Sequence, residues 1–154
     1  MIERRAVTRD TIRAIIGLTV RPDQADLVSP NVKTLAQAPY ETGAFVWGLW
    51  VADQPVGLMA MVHPEQYQYH AEGDDREAAY LWRLMIAADQ QGRGYGRQAL
   101  QMAVAQSRDW ELPRLVASVT NAPHSNLGFY QAFGFRTTGR IVEDEVEIVL
   151  DLQE

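Results

Sequence analysis

The residues in this chain best suited to chemistry stand in one short loop, Gln91-Gly92-Arg93-Gly94-Tyr95-Gly96-Arg97, between an apolar stretch and a helical one. A helix start leaves about four backbone N–H groups without intrahelical acceptors, and the helix dipole favours negative charge there. Glycines strip away the side chains that would keep a pyrophosphate from those groups. Arg93 and Arg97 add charge-assisted contacts to phosphate oxygens. The loop therefore reads as a seat for a phosphorylated anion, the alternative being a plain glycine-rich turn. Two common anion loops do not fit. A dinucleotide fingerprint requires G-x-G-x-x-G, whereas Gly92, Gly94 and Gly96 alternate. A Walker loop requires Gly-Lys-Ser/Thr, and the sole lysine is Lys33.

Other reactive groups are sparse. Zero cysteines exclude disulfides, thiolate metal sites and a cysteine nucleophile. His63, His70 and His124 are too scattered to suggest a metal triad and read as loop or surface histidines; no metal is expected. The acidic stretches Asp74-Asp75 and Glu143-Asp144-Glu145 could draw in a cation or could be solvated loops. Trp47, Trp50, Trp82 and Trp110 read as core, with Trp82 alternatively walling a slot.

The elements that must position the loop follow from periodicity. Their expected order is β-α-α-β-β-β-α-β-α-β-β. A short strand covers Ile2 to Arg5. Thr8 is placed as N-cap of a helix carrying Ile12, Ile15 and Ile16, and Asn31 as cap of a second helix ending before Pro39. Strands at Phe45 to Ala52 and Val56 to Val62 form a hairpin around Asp53-Gln54-Pro55. Pro64 to Glu77 is expected as an exposed connection, and Tyr80 to Ile86 as a central strand. A helix runs from the glycine loop to about Arg108, with Gly96, Leu100, Ala103 and Val104 on one face, and a strand covers Arg114 to Thr120. Ser125 to Phe133 is a short helix stopped by Gly134; Phe129, Ala132 and Phe133 form its core face, with Tyr130 turned about 100° aside. Strands at Phe135 to Thr138 and Val146 to Leu152 close a mixed sheet with helices on both faces.

Gln-x-x-Gly-x-Gly behind a hydrophobic strand resembles the coenzyme A pyrophosphate loop of the GNAT (Gcn5-related N-acetyltransferase) superfamily. Ser125-Asn126-Leu127-Gly128-Phe129-Tyr130 followed by Gly134-Phe135 resembles that superfamily's C-terminal signature. The resemblance covers nearly the whole chain. It lies nearest the bacterial branch of spermine/spermidine or diamine acetyltransferases, through Val20 to Gln24, Trp82 to Ile86 and Glu147 to Leu150. It implies one N-acetyltransferase domain over residues 1–154, of α/β fold: a mostly antiparallel mixed sheet of about seven strands with a splayed central pair. It also implies acetyl-CoA as co-substrate, a small primary amine as acceptor (a polyamine or diamine first) and a homodimer. The cofactor contacts it implies are Met85, Ile86, Gln91, Gly92, Arg93, Gly94, Tyr95, Gly96, Arg97 and Asn126.

By the same resemblance Tyr130 donates a proton to the departing CoA thiolate, a role for which a phenol with a pKa near 10 is suitably protonated at pH 7. The alternative is a packing tyrosine. Met85 and Ile86 would pair with the pantetheine arm, a bulge near them would open a slot beside Arg114 to Thr120, and the Ile86 N–H would polarise the thioester carbonyl. An amine of pKa about 10.4 must also lose a proton, costing roughly 4–5 kcal/mol at pH 7. Many relatives place a glutamate on the central strand, but Tyr80 and Trp82 occupy those positions. A carboxylate such as Glu147, a histidine or a water chain is left for that task. Other readings are acetylation of a protein N-terminus, peptide or aminoglycoside-like amine, and a non-catalytic acyl-CoA-binding sensor.

Composition fits these expectations. Hydrophobic residues make up 47% and charged residues 22%, which suits a globular domain and not a disordered chain. A net charge of −6 disfavours nucleic acid and favours a cationic substrate, although it also serves solubility. Met1 to Val20 lack a signal-peptide pattern and no stretch is long enough for a membrane span, so a cytoplasmic location is expected.

Overall fold

Alternating apolar residues and two-residue turns drive seven segments into strands, and the computed structural model describes residues 1–152. The strands are β1 (Glu3–Ala6), β2 (Ala44–Val51), β3 (Gln54–Val62), β4 (Ala78–Ile86), β5 (Arg114–Thr120), β6 (Arg136–Val142) and β7 (Glu145–Asp151). The helices are α1 (Ile12–Ile16), α2 (Asn31–Gln37), α3 (Tyr95–Asp109) and α4 (Leu127–Phe133). All strands share one sheet in the order β1-β2-β3-β4-β5-β7-β6. Only the β4–β5 pair is parallel. The α/β class, the mixed sheet and the element order match the reading from sequence.

Helices cover both faces. Ala99, Leu100 and Ala103 of α3 and Tyr130 of α4 join Leu81, Leu115, Ala117 and Ile148 in the larger core. On the opposite face Ile15 of α1 packs with Trp50, Leu58 and Met85, with Leu35 of α2 against them. That second cover reaches only part of the sheet. Over β5, β7 and β6 the same face is roofed by the connection 63–77.

Several local expectations give way. Thr8 starts the first turn through its carbonyl, which accepts from Thr11 and Ile12 N–H, and its hydroxyl does not cap α1. Asn31 lies inside α2 and is buried, donating from Nδ2 to the Ile15 carbonyl at 2.9 Å, so it fastens one helix to the other. The β2–β3 turn is Ala52-Asp53, and Gln54 and Pro55 already belong to β3. The connection after β3 is pinned to the sheet. Arg114 grips Asp75 through two bonds of 2.6 and 3.0 Å, and Arg140 reaches Asp74 at 3.0 Å. Asp74 and Asp75 are therefore structural anchors and not a free acidic patch.

The largest correction concerns α4. Phe129 is 40% exposed and Ala132 is exposed, whereas Tyr130 is 6% exposed. The helix begins two residues later than expected, at Leu127, and Leu127 and Tyr130 turn toward the sheet at spacing i, i+3. The tyrosine ring packs edge-on against Phe135 (centroids 5.5 Å) and Phe129 (5.1 Å). An amphipathic ring with an apolar body and a polar tip suits such a place.

Candidate active site

The central feature is a fork in the sheet. Parallel pairing of β4 with β5 runs only from Ala78↔Arg114 to Leu81↔Ala117. One residue later β4 bulges: Met61 of β3 pairs with Leu81, but Ala60 pairs with Arg83, leaving Trp82 extra. A bulge bends its strand and increases the local twist. Here it coincides with the loss of the β5 partner, somewhat earlier in the strand than the sequence suggested.

Beyond the bulge, β4 turns backbone groups toward the opening. Ala87 N–H donates to the Val56 carbonyl at 2.8 Å, which makes Gly57 and Ile86 a pair that exchanges no hydrogen bonds of its own. The N–H and C=O of Ile86 therefore point to the side that β5 has vacated. Close approach of β3 and β4 here depends on Gly57, where a Cβ would collide with the Met85 carbonyl.

At the end of β4 the chain turns through Ala88–Gln90 into the glycine loop. Gly92 (φ 78°) and Gly94 (φ 83°) occupy the left-handed region, and a Cβ at either would meet nothing within 4 Å. They are thus required by conformation, and the space above them is open. Gly94 caps α3, and the Gly94 carbonyl accepts from Gln98 at 3.1 Å. The N–H groups of residues 92–97 have no acceptor among the described residues, leaving a cluster of donors where the dipole of a 15-residue helix is positive. Gln91 braces this loop: its Nε2 donates to the Ile86 carbonyl (3.0 Å) and to Gln24 Oε1 (2.8 Å).

A cavity of about 410 Å³ joins these parts, lined by Met85, Ile86, Gln91, Gly92, Gly94, Tyr95, Gly96, Arg97, Asn126 and Tyr130. The structure so brings together the residues singled out from sequence, with one exception. Arg93 is exposed and does not line the cavity. Residues that sequence reasoning missed also line it. Val20, Gln24, Leu27 and Val28 come from the segment before α2, and Phe129 lies over Gly96, its ring 3.0 Å from where a Cβ would stand.

Tyr130 and Asn126 also line a second, polar cavity of about 560 Å³ inside the fork, with Tyr80, Trp82, Arg83, Ser118, Thr120, Glu143 and Glu145. Trp82 is thus a wall of the slot. A third cavity of about 350 Å³ continues beneath the 63–77 connection, past Glu41, Tyr67, His70 and Glu147. His70 Nε2 donates to the Pro64 carbonyl (2.9 Å), and His124 is paired with Asp26 at 2.7 Å. Among the described residues no cluster of potential ligands could hold a metal ion.

Electrostatics divide the tunnel. Burial, with a small push from Tyr80, raises the Tyr130 phenol well above its ordinary 10, so it stays protonated at neutral pH. Glu147, proposed from sequence as a base, is tied to Arg140 (3.1 Å) and to the Thr138 hydroxyl (3.0 Å). Glu145 has no ion-pair partner among the described residues, and burial raises its carboxyl above the ordinary 4.5.

Comparison with known proteins agrees with this architecture. Peptidyl-lysine N-acetyltransferase YjaB of Escherichia coli (strain K12) is 31% identical over 102 residues, 64% of this chain, and the match spans 56% of that relative's length. An acetyltransferase from Thermus thermophilus superposes with a TM-score of 0.68 at 24% identity, covering 99% of this chain and 97% of that one. The PaiA N-acetyltransferase of Thermoplasma acidophilum, solved with coenzyme A, gives 0.69 at 12% identity over 98% and 99%. These two likenesses concern the fold. Residues 9–135 match the Acetyltransferase (GNAT) family itself, and with the forked sheet and the donor-rich loop inside that span, the chain belongs to the GNAT acetyltransferases.

Proposed function

We propose that this protein is an acetyl-CoA-dependent N-acetyltransferase that moves the acetyl group directly to a small cationic amine, a polyamine or diamine first. One observation carries the reading: a continuous path leads from unpaired amides at a helix start, along the free edge of β4, to a buried phenol that also borders an acidic slot. The diphosphate takes the N–H groups of residues 92–97, with Arg97 beside them. Pantetheine lies along Met85 and Ile86, where the inward Ile86 N–H polarises the thioester carbonyl. Tyr130 protonates the leaving sulfur. The acceptor enters through the fork between β4 and β5, and Glu41, Glu143 and Glu145 supply the spaced carboxylates that an extended polycation requires.

The likeness to YjaB, a peptidyl-lysine N-acetyltransferase, supports a second reading, in which the acceptor is a lysine side chain of a peptide. Steady-state assays of thiol release over diamines, polyamines and lysine peptides decide between them. Selective turnover of polyamines supports the first reading; peptide turnover without polyamine turnover replaces it.

A further inference from the structure

The amine-acetylation reading, on which this inference rests, leaves the acceptor's proton without a destination. We propose that Glu145 takes that proton, so that the amine meets the thioester neutral.

Position is the first argument. Glu145 opens β7 and pairs with Thr120, the last residue of β5, at the mouth of the fork. Alternation puts its side chain on the same face as Glu147, which pairs with Ser118 two positions along, and the side chain lines the slot that Tyr130 also borders. The second argument is availability. Asp74, Glu147 and Asp75 are held by Arg140 and Arg114, and Asp26 by His124. On β4 itself the slot-facing residues are Tyr80, Leu81, Trp82, Arg83 and Leu84, none of them a carboxylate. Glu143 is exposed in the β6–β7 turn, whereas Glu145 is half-buried.

The groups facing Glu145 are Tyr80 and Arg83 from β4, Ser118 and Thr120 from β5, Glu143 from the turn, Tyr67 from the roof and Asp26 from the segment before α2. Burial raises its carboxyl, Glu143 adds to this, and Arg83 opposes it. A base drawn upward toward the working pH is better matched to its task.

The proton balance closes. An N–H bond of the ammonium breaks, its electron pair stays on nitrogen, and Glu145 becomes a carboxylic acid. The nitrogen pair bonds to the thioester carbon, the C–S bond breaks, and sulfur takes the Tyr130 proton. The second ammonium proton of the intermediate restores Tyr130 through water, and Glu145 returns its own to solvent, one net proton per amide.

The test compares wild type, Glu145→Gln and, for an equal charge loss in the exposed turn beside the slot but off its wall, Asp144→Asn. Each is assayed with a basic amine and with a similar amine already neutral at the assay pH. With the basic amine, Glu145→Gln should lower kcat/KM by about 10²–10⁴-fold. Its kcat/KM should then climb with pH toward the amine's own pKa, the acid limb of the wild type having gone. With the neutral amine it should approach wild type, and Asp144→Asn should show neither effect. Equal losses for both amines, a retained acid limb, or weaker coenzyme A binding by calorimetry would overturn the assignment. Turnover by wild type and Glu145→Gln alike would overturn it while leaving acetylation standing. Wild type inactive with every amine would remove the acetylation reading and this assignment together.

Discussion

At the residue scale Tyr130 is central, because it belongs to the core and also lines both cavities. Replacing it with Phe keeps the buried ring and deletes the donor. Thiol release should fall by about 10²–10⁴-fold while calorimetry finds coenzyme A affinity unchanged. The same burial has a thermodynamic signature. Because the folded phenol titrates above its ordinary 10, the unfolded chain ionises first, and stability held below pH 10 is lost as pH rises beyond it. Chemical denaturation of Tyr130→Phe at alkaline pH should lack that share of the loss. The tyrosine was legible in the sequence as a motif. Its burial was not, because the face that α4 presents depends on where the helix starts.

At the element scale two glycines and one pinned connection do the positioning. Gly94 holds a left-handed φ in open space, so Gly94→Ala brings conformational strain of about 1–2 kcal/mol without an internal clash. Urea unfolding should register that cost, and coenzyme A affinity should fall because the amides above α3 are misaligned. Gly57→Ala differs: it drives a methyl into the Met85 carbonyl, costing about 1–3 kcal/mol and disturbing the β4 edge. The roof over the slot is fastened by charge. The Arg114 guanidinium holds the Asp75 carboxyl below its ordinary 3.8. For Asp74, burial pushes upward but the Ala71 N–H and Arg140 more than offset it. Both contributions are present above about pH 3.8 and fade as pH falls through the lowered values. Amide protection of residues 64–77, measured relative to the intrinsic exchange rate at each pH, should fall on acidification, and Asp75→Asn should produce the same opening at neutral pH. Strand periodicity made all seven strands legible, β5 to the residue. Pairs such as Asp75–Arg114, 39 residues apart, and Asn31–Ile15 left no periodic trace, because their partners meet only after the sheet has formed.

At the scale of the whole molecule, a net charge of −6 surrounds a slot whose free carboxylates are Glu143 and Glu145, with Glu41 further in. A cationic acceptor is attracted over roughly a Debye length, about 10 Å at 0.1 M salt. Raising ionic strength should therefore raise KM for a polyamine more than for an uncharged amine. Among the described residues no helix is long and apolar enough to cross a membrane. The fork itself follows from global arrangement: a Trp82 bulge next to a parallel neighbour whose hydrogen bonds stop at Leu81. A crystal structure with coenzyme A is the decisive measurement. Diphosphate oxygens should lie within hydrogen-bonding distance of the N–H groups of residues 92–97, with the sulfur beside the Tyr130 hydroxyl. A diphosphate seated elsewhere, or a thiol directed away from the fork, would contradict this placement.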